Sequence, residues 1–183
     1  MRETKRRPRM LRYGLIYGGI AGAITILVMV IGMMFATEPG AGTSSMLVGY
    51  LIMLLAMVMI FVGMRQYRDR EQGGLISFWT ALKLGALMAL VAGVAYVICW
   101  EIYLGFTGSA FIDGYTAAAI DKLDGQGLPE AELQKKIDEI NKMGEMYGNR
   151  LFRMPMTMLE ILPVGLIVAA ISAWIVQRKP SVV

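Results

Sequence analysis

The sequence predicts an all-α membrane protein: four transmembrane helices arranged as two hairpins, plus an amphipathic helical hairpin outside the membrane between the third and fourth spans. Composition is the first reason. Of 183 residues 56% are hydrophobic and 17% charged, with a mean hydropathy of +0.56, against roughly 45–50% apolar and about 25% charged in soluble domains. So apolar a chain exceeds what one water-soluble core can bury, and a disordered chain is excluded as well. Length is the second. Four apolar runs, 13–35, 46–64, 78–103 and 155–176, come near or above the ~20 residues with which a helix crosses a ~30 Å hydrocarbon layer. Charge placement is the third, because Lys and Arg gather on alternate connections and mark the cytoplasmic side.

Before the first span stand Arg2, Lys5, Arg6, Arg7, Arg9 and Arg12. A signal-peptide core is only about 7–15 residues long, so this longer run reads as a retained span. The link 37–45 has no basic residue, the link 65–77 has Arg65, Arg68 and Arg70, and the tail has Arg178 and Lys179. Both termini and the second link are therefore expected in the cytoplasm, and the whole chain reads as a single membrane domain. Tyr13, Tyr67, Trp79 and Trp174 would sit at the inner interface, and Tyr50, Trp100 and Tyr103 at the outer one, where amphipathic rings favour the headgroup level.

The segment 104–154, with six basic and eight acidic residues, is expected outside. Ile112, Tyr115, Ala119 and Leu123 share one helical face, and Gly125-Gln126-Gly127 interrupts it. Pro129 suits the first position of the next helix, with Glu130 and Glu132 at its positive end. Leu133, Ile137, Ile140, Gly144 and Tyr147 make its apolar stripe, and Gly148-Asn149 ends it. Glu132 with Lys136, and Asp138 with Lys142, have the spacing of surface pairs. The stripe fits a helix folded onto the membrane surface or onto its neighbour, with partner docking as the alternative.

Two spans resemble copies. Leu11-Arg12-Tyr13-Gly14 matches Leu82-Lys83-Leu84-Gly85, and the same shift sets Gly18 on Ala89, Ala21 on Ala92 and Gly22 on Gly93. Such a duplication would relate two hairpins by an axis along the membrane normal. Gly14, Gly18 and Gly22, like Gly85, Ala89 and Gly93, recur every four residues, as do Gly165, Ala169 and Ala173. Small residues at this spacing let backbones approach, and dispersion then drives association in lipid. The stripes are expected as seams within the bundle, with a homodimer face as the alternative.

Chemistry has little to work with. There is no histidine and one cysteine, Cys99, which removes Ser-His-Asp and Cys-His catalysis, zinc sites built on His or paired Cys, and internal disulfides. No enzyme, cofactor or metal is expected. The 16 methionines read as fillers of apolar packing rather than copper ligands. The basic N-terminal arm fits anionic lipid, and without an aromatic platform or a soluble domain it does not suggest nucleic acid. Charges within the spans are limited to Lys83, Glu101 and Glu160. Lys83 can snorkel to the inner interface. Glu160 stands just before Pro163, which should kink its helix. It could serve protons or cations, or rest at the interface held by Arg150, Arg153 or water.

The link after the second span contains Tyr67-Arg68-Asp69, then Gly73-Gly74-Leu75-Ile76-Ser77-Phe78, then Ala81-Leu82-Lys83-Leu84-Gly85. This resembles the small bacterial membrane proteins of the domain of unknown function 4199 family. The Tyr-Gly opening of the first span and the acidic helix before the fourth are similar to that family too. The resemblance implies a four-span protein of the bacterial inner membrane and no catalytic residues. From the residues themselves, Gly73-Gly74 should form a tight turn and Ser77 should cap the third helix. The reading that results is an accessory or structural membrane component, acting through an unidentified membrane partner or a second copy. The alternative is a small transporter or channel subunit using Glu160.

Overall fold

The computed structural model describes residues 3–35, 46–124 and 127–178. Among these it forms six helices: α1 (Glu3–Phe35), α2 (Met46–Glu71), α3 (Phe78–Thr107), α4 (Ala110–Asp124), α5 (Glu130–Gly148) and α6 (Arg150–Val176). Three stretches among the described residues are long and apolar enough to cross a membrane: Arg9–Val28, Phe78–Thr107 and Arg150–Val176. The expected run 46–64 lies within α2. The link 37–45 and the pair Gly125-Gln126 lie outside the described residues.

The helices overrun the expected spans wherever no residue stops them. α2 continues through Arg65–Glu71, expected to be a link, because Arg, Gln and Glu are good helix formers. It ends only where Gly73 and Gly74 take φ of 62° and 86°. α3 starts at Phe78 with Ser77 Oγ accepting from the Thr80 N–H, the cap expected of that serine. α6 begins at Arg150 and runs unbroken through Pro155 and Pro163. Asn149 ends α5 and caps α6, its side chain accepting from the Leu151 N–H.

α1, α2, α3 and α6 pack around one core, in which α3 lies against α1 and α6 while α2 lies against α1 and α6. Glycine positions give the register. A Cβ on Gly18 would meet Met88 and Val91, and one on Gly22 would meet Ala92 and Ala95, so α1 and α3 run parallel. Gly85 faces Ala169, Gly165 faces Ala89, and Gly93 faces Met158, so α3 and α6 run antiparallel. Gly63 against Tyr17, with Tyr13 edge-on to Tyr67, makes α1 and α2 antiparallel.

A two-fold axis along the bundle that exchanged α1 with α3 would carry α2 and α6 to opposite sides. Here α2 and α6 touch, so the matching segments are related by a shift rather than by the expected rotation. The core is Met57, Ile60, Met64, Tyr67, Leu84, Met88 and Ala89 with Ile161, Ala169 and Ala173. Outward faces are just as apolar: Leu27, Ile98, Ile167 and Ile171 are each more than half exposed. Soluble proteins rarely leave large contiguous apolar patches open, whereas lipid requires them.

The aromatic residues expected at the interfaces differ in exposure. Tyr67 and Trp100 are buried, Tyr67 at 2% and Trp100 at 8% exposure, whereas Trp79 and Trp174 are exposed. In the segment 104–154 α4 meets α5 with Thr116 against Gly144, and Tyr115, expected on the apolar face, is exposed. The stripe of α5 is half-buried and its other face open. Glu132 pairs with Lys136 at 3.6 Å, but Asp138 accepts from Gln134 instead of pairing with Lys142. Pro129 sits one position earlier than expected, at the cap itself.

Candidate functional site

The antiparallel register that sets Gly85 on Ala169 and Ala89 on Gly165 also brings Glu101 of α3 opposite Arg153 of α6. The two form a fork, Arg153 Nε to Oε1 and Nη2 to Oε2, both 2.7 Å. Arg153 is 5% exposed, and the Glu101 side chain is 11% exposed. Desolvating such a pair is costly unless its remaining donors are used. They are used here. Arg153 Nη1 donates to the Tyr147 carbonyl at 3.0 Å, its guanidinium lies 6.0 Å from the Tyr147 ring centroid, and Arg150 approaches Glu101 at 3.7 Å.

A neutral chain completes the cluster. Indole N–H can only donate, and that of Trp100 reaches the Tyr147 hydroxyl at 3.2 Å. Thr157 Oγ1 donates to the Arg153 carbonyl at 3.0 Å and stands 3.4 Å from the Tyr147 hydroxyl. Trp100 also stacks on Tyr103 and meets Phe111 edge-on. Four helices are thus tied at one end: α3, α4, α5 and α6.

The opposite end is tied by the family-like link. Arg68 is buried; its Nε and Nη2 donate to Asp69 at 2.6 and 3.1 Å, and its Nη1 donates to the Val176 carbonyl at the end of α6 at 3.2 Å. The Arg68 carbonyl accepts from Gln72 and Gly74 as the chain turns. Ile76 and Arg178 then exchange backbone hydrogen bonds of 3.2 and 3.0 Å. Gln72 donates to the Tyr67 hydroxyl at 3.1 Å. Phe78 packs partly buried against the core. The Arg68 guanidinium, hydrogen-bonded to Asp69, holds that carboxyl below its ordinary 3.8. The motif therefore closes helix α2, turns the chain and straps the segment after α6 to it.

The three in-span charges are not gathered together. Lys83 is exposed near the start of α3, Glu101 is consumed by Arg153 at the far end, and Glu160 is exposed on α6. Glu160 makes no hydrogen bond or ion pair among the described residues; Arg150 and Arg153, expected as its partners, serve Glu101 instead. Among the described residues no group of His, Cys, Asp and Glu could hold a metal ion. The small residues lie within the bundle: Gly14, Gly18 and Gly22 against α3, Gly85 against Met64 and Ala169, Gly93 against Met158, and Ala89 against Gly165.

These features define the class, a helical bundle with membrane-compatible helices and an apolar exterior, tied by a polar cluster at each end. The chain belongs to the family described as protein of unknown function (DUF4199), whose model matches residues 14–178. No curated protein and no solved structure matches the chain.

Sequence reasoning missed the Glu101–Arg153 pair and the Trp100–Tyr147–Thr157 chain. A signal for the pair was present. Setting the small-residue stripes of the third and fourth spans against each other, antiparallel, places Glu101 on Arg153. Nothing local marks Tyr147 as its partner, because α5 reaches this cluster only by folding back.

Proposed function

We propose that the protein is a four-span component of the bacterial inner membrane, with its spans paired as two hairpins and both termini cytoplasmic. It acts as an accessory protein through contacts with another membrane protein or a second copy, and it is not an enzyme. α2 lies beside two membrane-compatible helices, α1 and α6, and shares their solvent, which supports the fourth span. The observation that carries the accessory reading is the dispersal of the in-span charges. Lys83 and Glu101 lie at opposite ends, Glu160 faces outward, and Met57, Ile60, Leu84, Met88 and Ala89 fill the interior between the helices. A transport route instead brings ionisable groups to face the bundle interior or a water-filled cavity.

The test combines photocrosslinking in cells from probes at outward-facing Ile98 and Ile167 with flux measurements in proteoliposomes. Discrete crosslinked species, with proton and cation movement the same for wild type and Glu160→Gln, are expected. A Glu160→Gln protein that inserts and folds normally but changes that flux would overturn the accessory reading and favour the transporter.

A further inference from the structure

At the Arg68 end, an open groove of about 550 Å³ lies between α1 and α2. Its rim is basic. Arg12 and Arg70 line it from the two helices, and neither has an ion pair or hydrogen bond among the described residues. Arg9 also lines it and is held at 2.6 Å by Glu71, which lines it too, so among the described residues three guanidinium groups face one carboxylate. Guanidinium forks match phosphate oxygens in shape and charge. The inner wall is aromatic: Tyr13 and Tyr17 stack at 5.9 Å, and Tyr13 meets the buried Tyr67 edge-on at 5.3 Å.

What lies beyond the rim distinguishes the ligand. The side of α1 that carries Arg12 continues, a turn at a time, as Ile16 and Ile20, which are 46% and 39% exposed. On α2 the row that starts at Arg70 and Gln66 drifts slowly round the helix as it leaves the groove and continues, a turn at a time, as Val62 and Val58, with Val58 48% exposed. Two stripes therefore rise from the same groove, cationic at its mouth and apolar above. A free phosphate needs only the mouth. A phospholipid needs both, its phosphate on the arginines and its acyl chains along the stripes.

We propose that this groove is a binding site for the phosphate headgroup of an anionic phospholipid from the cytoplasmic leaflet, with Arg12 and Arg70 as the phosphate ligands. The leaflet follows from the orientation proposed above; the binding itself does not depend on it. Failure of the two ideas is therefore separable, because lipid binding is measured in detergent and orientation by accessibility labelling.

The test is native mass spectrometry of the purified full chain titrated with phosphatidylglycerol, phosphatidylcholine, inorganic phosphate or glycerol 3-phosphate. Phosphatidylglycerol should bind about tenfold or more above phosphatidylcholine, and the Arg12→Gln/Arg70→Gln protein should lose that preference. An Arg65→Gln/Lys83→Gln protein loses the same charge at exposed positions outside the groove and should keep the preference. Equal loss in both double variants would overturn the site in favour of diffuse charge attraction. Equal binding of the two lipids would overturn it outright. Inorganic phosphate or glycerol 3-phosphate binding as tightly as phosphatidylglycerol would overturn the lipid assignment. Should the groove double variant lose helical circular dichroism, Arg12→Gln alone carries the same comparison.

Discussion

Gly18→Ala, compared with Gly19→Ala, measures what the α1–α3 seam contributes. The two glycines are neighbours on one helix, so the helix-propensity gain of up to about 1 kcal/mol is common to both and cancels. Their surroundings differ. A Cβ on Gly18 would stand 2.6 Å from the Met88 carbonyl oxygen, 2.8 Å from Val91 Cβ and 3.1 Å from Met88 Cα, whereas one on Gly19 would meet nothing within 4 Å. Two of the three obstacles are backbone, so no side-chain rotation relieves them. α1 must move away from α3 by several tenths of an ångström or more, and dispersion along the seam weakens with that gap. Overpacking of this kind costs ~1–3 kcal/mol, which is roughly a 5- to 150-fold change in the unfolding equilibrium. Detergent-solubilised proteins titrated with a denaturing detergent and followed by circular dichroism read that difference. Gly18→Ala should unfold earlier than wild type, and Gly19→Ala should match or exceed wild type. Two variants agreeing within about 0.5 kcal/mol, the usual scatter of surface substitutions, would refute close α1–α3 packing.

Removing one member of a buried ion pair strands the other, so Arg153→Ala should destabilise the bundle by about 3 kcal/mol. Adding Glu101→Gln should recover part of that loss, and strictly additive effects in the double-mutant cycle would contradict the pairing. For topology, in a chain with Cys99 replaced, new cysteines at Thr43 and Gln126 should react with impermeant maleimide from outside and one at Gln72 only after permeabilisation; the reverse pattern would invert the orientation. Asp69 has its carboxyl held below 3.8 by Arg68, so its contribution is present above that pH and lost as pH falls through the lower folded-state value. Unfolding curves between about pH 3 and 6 should therefore show wild-type stability falling at the acid end, with a smaller fall in Asp69→Asn.

Local chemistry made much of this architecture readable from the residues. Apolar runs of spanning length need no tertiary information, because an apolar helix in lipid satisfies its backbone within itself. The Gly73-Gly74 turn and the Ser77 cap were legible for the same reason, each being decided by a few adjacent residues. Small residues at Gly18, Gly85 and Gly165 marked the contact faces without saying which face meets which. That choice belongs to the tertiary structure. The pairing of α3 with α6 turned Glu101 and Arg153 from two isolated charges into a fork, and withdrew from Glu160 the partners its position suggested. Packing also buried Tyr67 and Trp100 while leaving Trp79 and Trp174 exposed, a difference that residue type does not decide. It placed Arg12 beside Arg70, 58 positions apart in the chain, on one groove. Depth along a helix follows from counting residues; neighbours across a bundle depend on rotation and register, which only mutual packing decides.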